Sequence, residues 1–170
     1  MPIRTAIAVD AEQIARVHVA SWQQAYQAVL PAEFLDRLSV PKRQAKWADS
    51  IAKGLPHILV VEINGQVVGF SAIGPCRDDG ALSTTFEIWA IYLSPSHWSN
   101  GHGRELWLAS REVLVNRGAH SVSLWVIASN ERAIKFYRSA GFVPEASSLK
   151  RFELGGVQVE EIRYVQQLAG

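Results

Sequence analysis

Gly101 and Gly103 stand one residue apart in the run Leu93-Ser-Pro-Ser-His-Trp-Ser-Asn-Gly-His-Gly-Arg-Glu-Leu106. A strand end, a proline, a bare turn and an apolar helix start follow one another there. Such a turn suits an anion. The first amides of a helix have no partner inside it, the macrodipole is positive at that end, and glycine lets a phosphate approach the backbone. Two familiar phosphate motifs do not fit. The dinucleotide fingerprint needs glycine three residues after Gly103, where Leu106 stands. The triphosphate loop needs Gly-Lys-Ser/Thr, and Gly103 is followed by Arg104-Glu105. The strand before the loop holds Glu87, a carboxylate in an apolar run, which is uncommon unless paired or functional. His18 and His57 have no partners at metal-ligand spacing. The single cysteine, Cys76, is followed by Arg77-Asp78-Asp79-Gly80, a surface loop, and permits no disulfide and no multi-cysteine metal site. No metal is expected.

The chain of 170 residues suits one domain spanning 1–170, with no linker or repeat to divide it. A net charge of +1 argues against nucleic acid or an anionic membrane as the main partner. No apolar run reaches the ~20 residues that span a bilayer, and the N-terminus carries no signal-like core. A reducing, cytoplasmic setting is the expectation.

The elements follow from periodicity and punctuation. Ile3 to Ile7 reads as a strand. Asp10 and Gln13 form a capping-box pattern before a helix to about Ala28, with Trp22 and Tyr26 on one helical face. Pro41 opens a second helix, which runs through Lys53 and stops at Gly54. His57 to Ile63 and Gln66 to Ile73 are strands joined by Asn64-Gly65, a two-residue hairpin turn. Thr84 to Leu93 is a third strand of this group, and alternation would put Glu87, Trp89, Ile91 and Leu93 on one face. Gly103 to Val115 reads as a helix, Ser121 to Ile127 as a strand, and Asn130 to Ala140 as a helix capped by Asn130. Phe142 to Leu154 and Val157 to Val165 form a last hairpin at Gly155-Gly156. The order β-αα-βββ-α-β-α-ββ implies an α/β (α+β) domain, with a mixed, mostly antiparallel sheet of about seven strands flanked by helices.

Two stretches carry a resemblance. Phe86-Glu-Ile-Trp-Ala-Ile-Tyr-Leu-Ser-Pro95 with Gly101-His-Gly-Arg-Glu-Leu106 resembles the central acyl-CoA motif of the GCN5-related N-acetyltransferases. Ser129-Asn-Glu-Arg-Ala-Ile-Lys-Phe-Tyr-Arg-Ser-Ala-Gly-Phe142 resembles that family's second motif. The resemblance implies acetyl-CoA as co-substrate. Backbone groups of Ile91, Tyr92 and Leu93 would hold pantetheine, and amides across Ser99, Asn100, Gly101, His102, Gly103 and Arg104 would cradle the pyrophosphate. Arg104 and Asn130 would also contact the cofactor. Trp98 departs from the family, which usually has Arg or Gln three residues before the first glycine.

The implied reaction is attack of a neutral primary amine on a thioester. An alkylammonium with pKa near ~10 must first lose a proton. Glu87 matches the family's base and Tyr137 its acid, a phenol protonated at neutral pH. Trp22, Tyr26 and Trp89 are expected near a small-molecule acceptor. A polyamine, an amino acid, a peptide N-terminus and an antibiotic all remain open as acceptors. The alternative is a non-catalytic acyl-CoA-binding module of the same fold. Relatives often form homodimers.

Overall fold

The computed structural model describes residues 2–168. Its eight strands are β1 Ile3–Thr5, β2 His57–Ile63, β3 Gln66–Pro75, β4 Thr85–Leu93, β5 Ser121–Ile127, β6 Val143–Pro144, β7 Lys150–Leu154 and β8 Val157–Gln167. The helices are α1 Ala11–Ala25, α2 Ala32–Asp36, α3 Val40–Lys53, α4 His102–Asn116 and α5 Glu131–Ser139. One sheet runs in the order β1-β2-β3-β4-β5-β8-β6, with β7 also on β8. Every pairing is antiparallel except β4 with β5. The expected mixed, mostly antiparallel sheet between helices is what forms.

Helices cover both faces, so the central strands are apolar on both sides. Ile58, Val60, Phe70 and Ala72 pack under Ile14 and Val17 of α1 and Trp47 of α3. Leu59, Val61 and Val68 pack on the other face against Leu106 of α4. Farther along that face, Trp107 and Leu114 meet Val122, Leu124, Tyr137 and Phe142. Buried Ser71 and Ser110 hydrogen-bond at 2.7 Å between β3 and α4, and the Ser110 hydroxyl also bonds to the Leu106 carbonyl at 2.8 Å.

The turn chemistry reads as expected at the hairpin between β2 and β3, and a cap the sequence reading did not single out appears before α3. Asn64 and Gly65 take φ of 51° and 78°, the positive values a two-residue hairpin needs. Ser39 caps α3 by accepting from the Lys42 amide at 3.2 Å. The capping box at α1 does not form. The Asp10 carboxylate turns back to Arg4 at 2.8 and 3.0 Å and to the Ile7 amide at 2.7 Å, because a two-pronged guanidinium outcompetes neutral amides. Gln13 accepts instead from the Val67 amide at 2.8 Å, beside a bulge in the β2–β3 ladder. Helix α1 also stops at Ala25 rather than Ala28. The single expected strand Phe142–Leu154 divides into β6 and β7 around a 3-10 turn at Ala146–Ser148, which raises the strand count from seven to eight.

The face under α1 contains an ionisable group that the core keeps neutral. His18 stacks on Tyr92 at 5.1 Å between ring centres and accepts from the Trp47 indole N–H at 3.2 Å. Burial, helped by Arg43 and Lys46, lowers its pKa to about 3. Below the ordinary value of 6.5, therefore, the unfolded chain binds a proton that the folded chain refuses. His18 leaves stability intact above pH 6.5 and lowers it as pH falls toward 3, by up to about 1.4 kcal/mol per unit. Denaturant titrations of His18→Gln against the parent between pH 7 and pH 4 should show a slope shallower by about one proton. Parallel slopes would mean that the imidazole does not resist protonation in the fold.

Candidate active site

Parallel pairing between β4 and β5 covers only Thr85–Ser121, Phe86–Val122 and Glu87–Ser123. Beyond Glu87 the two strands part, and the β4 edge from Ile88 to Leu93 has no strand beside it. The gap opens into a cleft of about 660 Å³ lined by β4, β5, α1, the loop before α4, α5, β7 and β8.

At one end lies the glycine loop. Ser99 and Gly101 take φ of 62° and 84°, so the chain twists left-handed twice just before α4. Gly101 is the residue before the first turn, and no side chain caps the amides that follow. Successive N–H groups in such a twist form an anion-binding concavity. Gly103 has a different reason to be glycine. A Cβ there would stand 3.2 Å from the Phe136 ring and 3.4 Å from Leu93, which α4 approaches closely. Arg104, Arg132 and Lys135 bring positive charge to this end. The Arg132 guanidinium lies 3.4 Å above the Trp98 ring, and the Trp98 indole donates to the Leu93 carbonyl at 2.9 Å. Trp98 thus ties the loop to the end of β4.

The cleft gathers most of the residues singled out by the sequence. Ile91, Tyr92, Leu93, Ser99, Gly101, Gly103, Arg104, Asn130, Tyr137, Trp22 and Tyr26 all line it. The Leu93 carbonyl is already engaged by Trp98 and by the Ser21 hydroxyl at 3.2 Å. Asn130 caps α5 through the Ala133 amide at 3.2 Å and donates to the Tyr26 hydroxyl, also at 3.2 Å. It joins the end of α1 to the start of α5. Tyr137 is buried, and burial, with Tyr92 and Tyr26 nearby, pushes its phenol well above the ordinary range. It stays a proton donor at any physiological pH.

Four residues fall elsewhere. Asn100 and His102 are in the loop but do not line the cleft, and neither do Glu87 and Trp89. The expected single face of β4 is broken by a bulge. Ala72 pairs with Ala90 and Ile73 with Ile88, so Trp89 is an extra residue. Trp89, Ala90 and Tyr92 consequently pack with the α1 side, while Ile88 and Ile91 pack with the α4 side. Leu93 reaches Gly103 of α4. Trp89 donates to the Pro75 carbonyl at 3.1 Å, and the Arg77 guanidinium lies 4.2 Å over its ring. Glu87 is 2% exposed, and both its oxygens are engaged. One accepts from the Arg77 amide at 2.9 Å and Nε at 3.2 Å, the other from the guanidinium at 2.7 Å.

Sequence reasoning missed the far wall of the cleft: Trp125 of β5, Phe152 and Leu154 of β7, and Glu161 of β8. No motif marks them. Arg132, Lys135, Phe136 and Ser139 were also missed, although their spacing of three, four and seven places them together on one face of α5.

The description "Acetyltransferase (GNAT) family" matches residues 17–142, and the chain belongs to that family. It is 32% identical over 160 residues to YuaI of Bacillus subtilis, an uncharacterized N-acetyltransferase, covering 94% of this chain and 89% of that protein. The fold superposes on the PaiA N-acetyltransferase of Thermoplasma acidophilum, solved with coenzyme A, at a TM-score of 0.79 and 19% identity, over 98% of each chain. It also superposes on yncA of Salmonella typhimurium, solved with its cofactor acetyl-CoA. That match has a TM-score of 0.77 and 22% identity, over all of this chain and 95% of the other. Among the described residues no helix is long and apolar enough to cross a membrane. Among the same described residues, no group of three or more His, Cys, Asp or Glu is placed to hold a metal.

The Glu87–Arg77 pair makes a stability claim. Charge-assisted bonds to a buried carboxylate are worth about 1.5–3 kcal/mol each. Glu87→Gln should lower unfolding free energy by about 1–3 kcal/mol, read by urea titration at pH 7. An unchanged midpoint would show that Arg77 adds nothing by holding that carboxylate.

Proposed function

We propose that the chain transfers an acetyl group from acetyl-CoA to the primary amine of a small molecule, by direct attack. The observation that carries this is the parting of β4 from β5 after Glu87, with an unpaired strand edge on one side, a left-handed glycine loop at one end and Tyr137 in the wall.

The residues present fit acetyl-CoA. The uncapped start of α4 and the cations Arg104, Arg132 and Lys135 suit a pyrophosphate. The missing Cβ of Gly103 brings α4 close to the end of β4, and the Ile91–Leu93 edge can hold an extended arm by strand-like bonds. When bound, the thioester supplies the activated acetyl group. This chain's own residues do the rest. Backbone amides and cations hold the nucleotide, the β4 edge aims the arm along the cleft, and Tyr137 hands its proton to the departing sulfur. The Arg77 bonds make Glu87 an anchor for the loop after β3, with Trp89 under the same guanidinium. The acceptor meets a wall of Trp22, Tyr26, Trp125, Phe152 and Leu154, which favours a small amine with an apolar body over a long cationic chain.

Thiol release across an amine panel with acetyl-CoA tests the reading. Cofactor binding without thiol release from any amine would favour a non-catalytic acyl-CoA-binding module. Tyr137→Phe should lose about 100-fold or more in kcat while the Kd for coenzyme A, read by calorimetry, stays put. Undiminished turnover would remove Tyr137 from the chemistry. Gly101→Ala tests the cradle separately. A side chain at φ 84° costs about 1–2 kcal/mol, so the loop relaxes and its amides tilt. Affinity for coenzyme A should fall about tenfold, with the melting temperature little changed. Wild-type affinity would mean that the turn at Gly101 does not position the nucleotide.

A further inference from the structure

The charges lining the cleft are sorted. Arg104, Arg132 and Lys135 belong to the glycine-loop end. Glu161 is the one acidic side chain among the described lining residues, and it stands with Trp125, Phe152 and Leu154. Its strand position explains the placement. Glu161 pairs with Ile127 of β5 on one edge of β8 and with Lys150 of β7 on the other, where β5 has already left β4.

The two carboxylates near the parting of the strands differ in what they have free. Glu87 is closed off, with three hydrogen bonds to Arg77 and almost no exposure. Glu161 keeps about a quarter of its side chain exposed, and its charged neighbour, the Lys150 ammonium, is 3.8 Å away. That distance is an ion pair without a close hydrogen bond. The same ammonium lies 3.9 Å from the centre of the Trp125 ring. The Trp125 indole is itself pinned, donating to Asp78 at 3.0 Å, and Asp78 is held by Arg163 at 3.1 Å. A fixed aromatic face beside a loosely held carboxylate is a seat for an alkylammonium, and the chain's own lysine shows the fit.

We infer that Glu161 is the carboxylate that receives the acceptor's ammonium on the Trp125 face and takes its proton. This rests on the reading that the cleft joins an acetyl thioester to an amine. The proton count closes. Glu161 takes one proton from R–NH₃⁺, and the freed lone pair forms the C–N bond to the acetyl carbon. The C–S bonding pair leaves with sulfur, which takes the Tyr137 proton. Tyr137 recovers a proton from the same nitrogen, leaving the neutral amide, and Glu161 releases its own to water.

Burial raises the Glu161 carboxyl above the ordinary carboxylate range. Lys150 pulls it down, and the negative charges of Asp78 and Glu87 push it up. A raised carboxylate is a better base at neutral pH. The Arg163 charge next door is spent on Asp78 and Glu145. With a single carboxylate in an aromatic and aliphatic wall, the seat takes one ammonium, and the acceptor's displaces the half-exposed Lys150 ammonium that fills it here. The acceptor class is therefore a monoamine carrying an apolar body, not a polyamine.

The experiment compares Glu161→Gln, Glu161→Asp, Glu87→Gln and the parent, with 2-phenylethylamine and spermidine as probes. Three quantities are read: kcat/KM from pH 5 to 10, amine affinity by tryptophan fluorescence, and coenzyme A affinity by calorimetry. The parent should prefer 2-phenylethylamine, with a rate that rises through the Glu161 titration and then levels. Glu161→Gln should lose about 100-fold or more at pH 7. Its rate should climb tenfold per pH unit toward the amine's own pKa, because only amine already deprotonated can attack. Glu161→Asp should keep the levelled profile at reduced rate, Glu87→Gln should keep it too, and coenzyme A affinity should hold in all four. Three results overturn the inference while leaving the acetyl-transfer reading standing. They are turnover by Glu161→Gln with the parent's profile, loss of the levelled profile in Glu87→Gln alone, and a parent preference for spermidine. A parent that releases thiol with no amine overturns the acetyl-transfer reading itself, and the proton step with it.

Discussion

The parallel ladder between β4 and β5 lasts three residue pairs and then stops. A sheet interrupted in its middle would ordinarily leave backbone polar groups unpaired against a dry core, at a cost comparable to lost hydrogen bonds. Here the interruption faces a water-accessible cleft instead. Everything else about the site follows from where the ladder ends. The edge of β4 is left free to pair with an extended ligand, Tyr137 of α5 reaches the gap from one face, and Trp22 and Tyr26 reach it from the other. Continuing the pairing to Leu93 and Ile127 would keep the fold and remove the site.

The parting is held by packing on both sides of it. On either side of Glu87, Phe86 and Ile88 pack with the cluster of Val122, Trp107 and Leu114, and Phe86 pairs with Val122 in the last stretch of the ladder. Above it, the bulge at Trp89 turns Ala90 and Tyr92 toward α1, where Tyr92 stacks on His18. Glu87 sits at the branch point, and its bonds to Arg77 close the end of β4 against the loop after β3. The Asn130–Tyr26 bond spans the far mouth and fixes α5 relative to α1, so that the second motif and the first helix share one wall. Trp98 does the same at the cofactor end by bonding to the Leu93 carbonyl.

Local chemistry made the elements legible, and non-local pairing hid the details. Asn64-Gly65, Pro41, Gly54 and Asn130 each set a turn, a helix start or a cap by their own dihedral or hydrogen-bonding needs, so their positions could be read directly. The Trp89 bulge could not, because it is a property of two strands and not of one. Asp10 looked like a cap until Arg4, from a neighbouring strand, offered a better partner. Glu87 was visible as an unusual carboxylate, but whether its lone pairs were free depended on Arg77, ten residues away on a loop. The strand Val157-Gln-Val-Glu-Glu-Ile-Arg163 loses its alternation at Glu160-Glu161, so the pattern did not say which of the two carboxylates turns inward. Register alone does that. Glu160 faces Arg151 at 3.0 Å with both side chains well exposed, while Glu161 turns into the cleft.

This distribution of charge also bears on how one cleft handles two unlike molecules. A cofactor with several phosphates and an amine with a positive charge attract each other in water, so a single-sign cleft would favour one and repel the other. Placing Arg104, Arg132 and Lys135 at the loop end and a single carboxylate at the other would give each partner of the proposed reaction its own end. The apolar stretch between them, from Ile91 past Val126 and Phe136, keeps water sparse where the acetyl group would lie, which strengthens the hydrogen bond that Tyr137 can offer to sulfur. The buried phenol fits that task for the same reason that it is a poor base. The surroundings that hold its proton on at rest, burial first, cannot stabilise its anion for long, so in the proposed mechanism it is reprotonated from the acceptor nitrogen within the same turnover.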